Sequence, residues 1–143
     1  MTDFNPFRYL AVSLLITLLA TQTSIAQSYE ESNERVFEMR IYTANDGKLD
    51  ALENRFRTYT MDLFEEHGIE NIGYWIPDDP ETSQNTLIYI ISYENRKVAQ
   101  ERWDAFFNSP EWQEISARTN ADGNLVKHVE SVFMHATDYS PIN

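Results

Sequence analysis

The segment TLIYIISY, residues 86–93, constrains the fold of this 143-residue chain more than any other stretch. Side chains alternate between the two faces of a β-strand, so the odd-numbered apolar residues of this segment share one face, while Ile88 and Ile90 share the other. A strand that is apolar on both faces is normally covered on both faces. The chain must therefore place helices on one side of its sheet and find another layer for the opposite side.

A strand and a long helix precede this segment. The run RVFEMRIYT alternates, with Phe37, Met39 and Ile41 on one face. Turn and cap residues follow at 45–47, and apolar residues then recur at spacings of three and four until Gly68, which predicts an amphipathic helix. Extended structure resumes in IENIGYWIP, which predicts the second strand.

Two capped helices and a last strand follow the central segment. Asn95 and Ser109 are residue types that favour the N-cap position, and Pro110 suits the first turn of the shorter second helix. The longer helix carries an apolar stripe that includes Trp103 and Phe106. The valine-rich segment NLVKHVESVFMHAT predicts the last strand.

These patterns give the order β-α-β-β-α-β with an extra short helix before the last strand, which is the split βαβ pattern of ferredoxin-like α+β domains. In that topology the four-stranded sheet is antiparallel, its first and third strands are central, and both long helices cover one face. We expect a second copy of the chain to cover the other face and form a dimeric α/β barrel, because a large exposed apolar sheet face promotes aggregation.

Three stretches, VFEMRIYTANDGKLDALENRF, FEEHGIENIGYWIPD and SPEWQEI, resemble the NIPSNAP family of dimeric ferredoxin-like domains. The resemblance spans residues 35–139 and rests on four motifs in order: the opening strand, GKLD at the helix start, the HG turn and the PEW segment. It implies a fold more than a reaction, since the wider superfamily includes small monooxygenases, haem-degrading enzymes and muconolactone-type isomerases. The adaptor roles of mitochondrial members are not carried over, because this chain has one copy of the domain and a predicted export signal.

The N-terminus has the pattern of a secretory signal. A single Arg8 precedes the apolar run Tyr9–Ala20, which is short for a membrane span, and Ser24 and Ala26 supply the small residues that a signal peptidase reads. We expect cleavage after Ala26, with retention as a membrane anchor as the alternative, and a periplasmic or secreted product without stable membrane insertion. The expected organisation is a signal peptide (1–26), a flexible tether (27–34), the NIPSNAP domain (35–139) and a tail (140–143).

Composition argues against several classes of function. The formal net charge of −12 would repel a nucleic-acid backbone, so no nucleic-acid partner is expected. The absence of cysteine excludes disulfides, thiolate zinc sites and iron–sulfur clusters. His128 and His135 face opposite sides of a regular strand, so no metal site is expected, although axial haem ligation by a single histidine stays open. No glycine-rich nucleotide loop or nucleophile elbow occurs, and no cofactor is expected.

Glu38, Arg40 and Tyr42 are the strongest polar constellation, because they occupy alternate positions of the first strand. We expect them on the sheet face away from the helices, lining the barrel of the dimer. One interpretation is an ion pair that fixes the dimer register. The other is a ligand cavity in which Arg40 binds an anionic or carbonyl group and Tyr42 donates a hydrogen bond.

His67 ends the first helical run and has two interpretations. As a helix C-cap, a protonated imidazole in the last turn interacts favourably with the helix dipole. The other interpretation is an acid–base group, because His67 matches the HG position of the family and could face Tyr74 or Trp75. In the second case Tyr42, His67 and Arg40 would assist proton transfer and stabilise an enolate-like anion.

Aromatic residues are the remaining candidates, either as core or as walls of a pocket for a flat ligand. They are Tyr74, Trp75, Tyr89, Tyr93, Trp103, Phe106, Phe107 and Trp112. We therefore expect an exported homodimer that binds a small apolar or aromatic molecule in a cavity between sheet and helices. The alternatives are a cofactor-independent monooxygenase or isomerase, and a protein–protein interaction module whose acidic surface docks another exported protein.

Overall fold

The computed structural model describes residues 34–142, so the predicted signal peptide and most of the predicted tether lie outside the described residues. In chain order the elements are β1 (Val36–Ala44), α1 (Leu49–Arg55), a π-helical turn (Phe56–Thr60), α2 (Met61–Glu66), β2 (Glu70–Trp75), β3 (Thr86–Tyr93), α3 (Arg96–Asn108), α4 (Pro110–Thr119) and β4 (Val126–Met134). The predicted α+β order is confirmed, including the short helix before the last strand. Among the described residues, no helix is long and apolar enough to cross a membrane.

The four strands form one antiparallel sheet in the order β2-β3-β1-β4. The first and third strands are therefore central, as the sequence predicts. Arg40 pairs with Tyr89 of β3 on one side and with Ser131 of β4 on the other, so these three residues lie on the same face of the sheet.

Local side chains start two of the helices as predicted. The side chain of Asn95 accepts hydrogen bonds from the backbone N–H groups of Lys97 and Val98, and Ser109 accepts one from Trp112. The first helix differs, because no side chain caps it. Asn45, a predicted cap, instead donates through its amide to the carbonyl oxygen of Asn124 at 2.7 Å and ties the helix start to the loop before β4.

A π-helical turn joins α1 to α2. The backbone N–H of Met61 donates to the carbonyl oxygen of Phe56, five residues earlier, and Thr60 Oγ1 donates to the carbonyl oxygen of Arg55 at 3.4 Å. Turns of this kind inside α-helices often occur at functional sites. Arg55, Phe56 and Thr60 are all buried at this turn.

The helices cover the face of the sheet that carries Glu38, Arg40 and Tyr42. Glu38 bonds to Trp103 of α3, and the ring of Tyr42 packs edge-on against Phe56 at 5.9 Å. The prediction that these three residues of β1 lie on the face away from the helices is therefore wrong. The alternation was assigned correctly, but the polar set points into the core of the subunit, where hydrogen bonds satisfy it.

The opposite sheet face is apolar and carries no helix. Its apolar side chains are Phe37, Met39, Ile41, Ile72, Trp75, Ile88, Ile90, Val132 and Met134. The C-terminal residues 135–142 lie against one end of this face and enclose, with Phe37 and Ile72, a groove of about 310 Å³. Trp75 and Val132 remain about half exposed. The chain itself therefore covers this face only in part.

Candidate functional site

Glu38 is the centre of a buried hydrogen-bond network that joins three strands to α3. Its Oε1 accepts from Arg40 Nη1 and from Ser131 Oγ, both at 2.6 Å. Its Oε2 accepts from Tyr93 Oη at 2.7 Å and from Trp103 Nε1 at 2.8 Å. Each carboxylate oxygen therefore accepts two hydrogen bonds. With both oxygens occupied in this way, Glu38 is poorly placed to act as a base towards a ligand.

The network holds Glu38 in its ionised form. Burial alone would raise the pKa of Glu38, but the hydrogen bonds from Ser131, Trp103 and Tyr93, together with the charge of Arg40, lower that pKa below its ordinary value. The ion pair that the sequence predicted is present, with Arg40 at 2.6 Å. It joins two residues of the same strand, however, inside one subunit, and is not placed to set the register of a dimer.

The guanidinium of Arg40 lies between aromatic rings. Its Cζ is 4.4 Å from the centre of the Trp103 ring and 5.4 Å from that of Tyr42. Nε of Arg40 is buried without a hydrogen bond to any described residue. Arg40 is therefore largely committed to Glu38 and to these rings.

Arg55 is also buried, but it has no carboxylate partner. It is 5% exposed, and among residues 34–142 no hydrogen bond or ion pair reaches its guanidinium. The ring of Trp112 lies 5.2 Å away. Burial lowers the pKa of Arg55 below its ordinary value, because water no longer solvates the charge. Arginine stays protonated in proteins even so, and the site therefore contains a buried positive charge with unused N–H donors.

A small cavity adjoins Arg55 between the sheet and the helices. Its volume is about 30 Å³, which suits a water molecule or one functional group. Aromatic side chains dominate its walls, and we call this space the chamber. The lining residues are Tyr42, Arg55, Phe56, Thr60, Phe64, Trp103, Phe106, Phe107 and Trp112. The structure thus has a small cavity between the sheet and the helices, which is too small for an aromatic ring as it stands, and ligand binding there stays a prediction.

Tyr89 adds a second unused polar group beside the chamber. The residue is fully buried, and its Oη has no hydrogen bond to the described residues. Its ring stacks on Tyr74 at 5.4 Å and meets Tyr42 edge-on at 5.2 Å. Burial raises the pKa of Tyr89 well above its ordinary value, so the hydroxyl is neutral and can donate a hydrogen bond.

Phe107 is the one exposed residue in the lining of the chamber. Its ring stacks on Trp103 at 5.1 Å with an interplanar angle of 17°, yet the residue is 47% exposed. The next helix, α4, buries only Ile115. The end of α3 at Phe107 is therefore the most exposed part of the chamber wall.

Two predicted site residues lie away from the chamber. His67 is the C-cap of α2: its Nδ1 is 2.8 Å from the carbonyl oxygen of Leu63, and its ring meets Phe106 edge-on at 5.8 Å. This geometry fits the capping interpretation, and an acid–base role stays a prediction. Trp75 lies on the opposite face of the sheet, where it pairs with Ile88 of β3.

The other predicted residues are close together. Glu38, Arg40, Tyr42, Tyr74, Tyr89, Trp103 and Trp112 all lie in the layer between sheet and helices. Sequence reasoning missed Arg55, although a signal was present. Arg55 lies three residues after Leu52 and four before Tyr59, so helical periodicity already places it on the apolar face of the first helix.

Larger concavities occur at the surface, and in one of them the arginine is already paired with a carboxylate. A groove of about 530 Å³ beside Gly68 contains Arg35, which bonds to both Glu70 and Ser92. Among residues 34–142, no group of three or more His, Cys, Asp or Glu side chains is arranged to hold a metal ion. Three of the four buried side-chain polar atoms that lack a hydrogen bond in residues 34–142, those of Arg40, Arg55 and Tyr89, lie in or beside the chamber.

The family model described as NIPSNAP matches residues 37–141, well over half of the chain. A search of curated proteins found no significant match. Among solved structures, a NIPSNAP family protein from Agrobacterium tumefaciens is similar, with a TM-score of 0.67 and 23% identity over 77% of this chain and 92% of that chain. An uncharacterised NIPSNAP-like domain protein from Burkholderia xenovorans gives a TM-score of 0.65 and 21% identity over 76% of this chain and 90% of that one.

A more distant enzyme shares the fold. The monooxygenase from the gene ActVA-Orf6 of Streptomyces coelicolor, solved in complex with the ligand Nanaomycin D, gives a TM-score of 0.52 and 11% identity. The alignment covers 78% of this chain and 95% of that chain. At such identities the likeness shows a common ferredoxin-like architecture.

Proposed function

We propose that this chain, which belongs to the NIPSNAP family, binds a small planar aromatic molecule in the chamber between its sheet and its helices. The observation that carries the proposal is the aromatic lining of the chamber around three polar side chains, Tyr42, Arg55 and Thr60. Ligand sites are typically apolar concavities with a few polar groups that fix orientation.

Binding requires one ring to move, because the cavity of about 30 Å³ accepts only a group the size of water. Phe107 is the side chain best placed to do so, since it is half exposed and stacks on Trp103. A planar ligand can take the place of the Phe107 ring and keep the stacking on Trp103. An aromatic pair contributes roughly 0.5–1.5 kcal/mol beyond its buried area, so the exchange costs little.

The fluorescence of N-phenyl-1-naphthylamine, which increases in apolar sites, tests this proposal. Trp112→Leu alters the chamber wall and should weaken binding, whereas the matched change Trp75→Leu, on the opposite face, should not. Equal loss in both variants would indicate binding on the open sheet face. No binding to the wild-type protein would leave the alternative of a protein–protein interaction module.

A homodimer is part of the proposal. The apolar sheet face that lacks helices supports it, because nine apolar side chains lie there and the C-terminal residues cover only one end. A second copy related by a two-fold axis would bury the same face on both subunits. Because side chains alternate, this interface and the chamber lie on opposite sides of one sheet.

Export to the periplasm or the medium also belongs to the proposal. It is motivated by the apolar run Tyr9–Ala20 and by the small residues Ser24 and Ala26, which lie outside the described residues. N-terminal sequencing of the protein recovered from the periplasm would give Gln27 as the first residue after cleavage. Recovery of the full chain in the membrane fraction would instead indicate a retained anchor.

A second candidate is a cofactor-independent monooxygenase or isomerase. Tyr42 favours it, because its side chain lines the chamber beside Arg40 and Arg55. The fold shared with the Streptomyces coelicolor monooxygenase is compatible with it. An oxygen electrode can follow the conversion of 1,5-dihydroxynaphthalene and O2 to 5-hydroxy-1,4-naphthoquinone and water. Uptake that is lost in Tyr42→Phe would support an enzyme, whereas uptake equal to that of buffer would count against it for this substrate class.

A further inference from the structure

We infer that the ligand of the chamber carries an anionic oxygen group, such as a carboxylate or a phenolate, and that Arg55 binds this group. The inference rests on the proposed function and names the chemistry that the ligand must have. It starts from the guanidinium of Arg55, which is 5% exposed and has no hydrogen bond or ion pair among residues 34–142.

The two buried arginines of the core provide an internal comparison. Arg40 has the carboxylate of Glu38 at 2.6 Å, and that carboxylate is itself satisfied by three further donors. Arg55 lies in the same layer without any carboxylate within ion-pair distance in the described region. Buried charges are normally paired, because removing a charge from water costs several kcal/mol. The missing partner of Arg55 is therefore expected from outside the chain.

The surroundings of Arg55 restrict what that partner can be. The Trp112 ring, 5.2 Å from Cζ, offers a π-face but no oxygen acceptor for the in-plane N–H groups. The adjoining cavity of about 30 Å³ has room for a carboxylate or a phenolate oxygen but not for a ring. An aromatic acid fits both conditions: its ring replaces Phe107 against Trp103, and its charged oxygen enters the cavity.

The surface charge of the protein does not supply this preference. With a formal net charge of −12, the chain repels anions at long range. Selection of an anion must therefore come from a local positive group that water screens little, and a buried guanidinium is such a group. A guanidinium also suits a carboxylate better than an ammonium group does, since its planar fork can donate two parallel hydrogen bonds to the two carboxylate oxygens.

Isothermal titration calorimetry with two probes tests the inference. 2-Naphthoate and 2-naphthamide have the same ring system and nearly the same shape, but only the first is an anion. Wild-type protein should bind the naphthoate at least roughly tenfold more tightly, as expected for a charge-assisted hydrogen bond in a buried site. Arg55→Met should weaken the binding of the naphthoate more than that of the amide, whose neutral carbonyl oxygen accepts a weaker hydrogen bond, and should therefore remove most of this difference.

Arg57→Met is the matched control, because Arg57 lies on the same helix but is exposed and pairs with Glu53. It should change neither affinity. Arg55→Met should also be at least as stable to heat as the wild type without ligand, since it removes an unpaired buried charge. If that variant does not fold, Arg55 is structural and the inference is wrong.

The remaining outcomes separate the inference from the proposed function. Equal affinity of the wild type for both probes, unchanged in Arg55→Met, would overturn the inference and leave ligand binding in place. Failure of both probes to bind the wild type would overturn the proposed function and the inference with it.

Discussion

Replacing Glu38 by glutamine should destabilise the fold severely, because each carboxylate oxygen faces a group that can only donate. Oε1 accepts from Arg40 and Oε2 accepts from Trp103, and neither side chain has a hydrogen-bond acceptor to offer. A glutamine amide has one oxygen and one NH2 group. Whichever way the amide is turned, its NH2 group therefore meets a donor that it cannot satisfy.

The magnitude follows from the burial of the network. Glu38 is 1% exposed, so water cannot replace the lost acceptor. Breaking one partner of a buried ion pair costs about 3–5 kcal/mol. We expect Glu38→Gln to lower the free energy of unfolding by about that amount, which is a large share of the roughly 5–15 kcal/mol that holds a typical domain.

The pH dependence gives the same reasoning a second readout. The pKa of Glu38 is lower in the folded protein than its ordinary value, so the ionised carboxylate contributes stability that is fully present above the unfolded pKa. That contribution is lost as the pH falls through the folded pKa. The wild type should therefore lose more stability on acidification than Glu38→Gln does.

Urea unfolding followed by circular dichroism measures both effects, with all variants at equal protein concentration because association can raise apparent stability. Glu101→Gln is the control, since Glu101 is exposed on α3, away from the open sheet face, and should change stability by less than about 1 kcal/mol. A Glu38→Gln variant within about 1 kcal/mol of the wild type would refute the account of the network. Parallel pH profiles would do the same.

Three further predictions concern the chamber, the open sheet face and the helix cap. Phe107→Ala should tighten the binding of N-phenyl-1-naphthylamine by up to roughly tenfold in a fluorescence titration, because no aromatic pair has to be broken; weaker binding would show that Phe107 contacts the ligand. Val132→Glu should convert the dimer to a monomer in light scattering at micromolar concentration, and a monomeric wild type would contradict the dimer. His67→Ala should lower unfolding free energy by about 0.3–1 kcal/mol; lost turnover at unchanged stability would instead support an acid–base role.

Much of the fold was predictable because its determinants are local. The alternation of β1 and the two apolar faces of β3 are set by neighbouring residues, and Asn95 and Ser109 cap helices through atoms two or three residues away. The orientation of β1 was not predictable in this way. A period of two groups Glu38 with Arg40 and Tyr42, but it does not say which face they take. That choice depends on donors more than fifty residues distant in sequence.

The candidate site divides along the same line. Periodicity on the first helix places Arg55 on the buried side, and this much is readable from the sequence. The absence of a carboxylate near Arg55 depends on the tertiary structure. The chain has 23 acidic residues, and the sequence alone does not say which of them lie close to a given arginine. The same holds for Phe107, whose half-exposed ring looks like ordinary core in the sequence.

The buried polar groups without hydrogen bonds place the expected ligand site at Arg55 and not on β1, where the sequence pattern placed it. Glu38 accepts from four donors and has no acceptor capacity left. Arg40 is paired with Glu38 and lies between two rings, so its charge is already neutralised and only its Nε donor is unused. Arg55 has donors without acceptors, and Tyr89 has a neutral hydroxyl without a partner. An anion binds most favourably to buried donors that have no hydrogen-bond partner, because no existing hydrogen bond must be broken first. Ligand recognition is therefore expected at Arg55, the last residue of α1 before the π-helical turn, with the Glu38 network holding the sheet and α3 in place beside it.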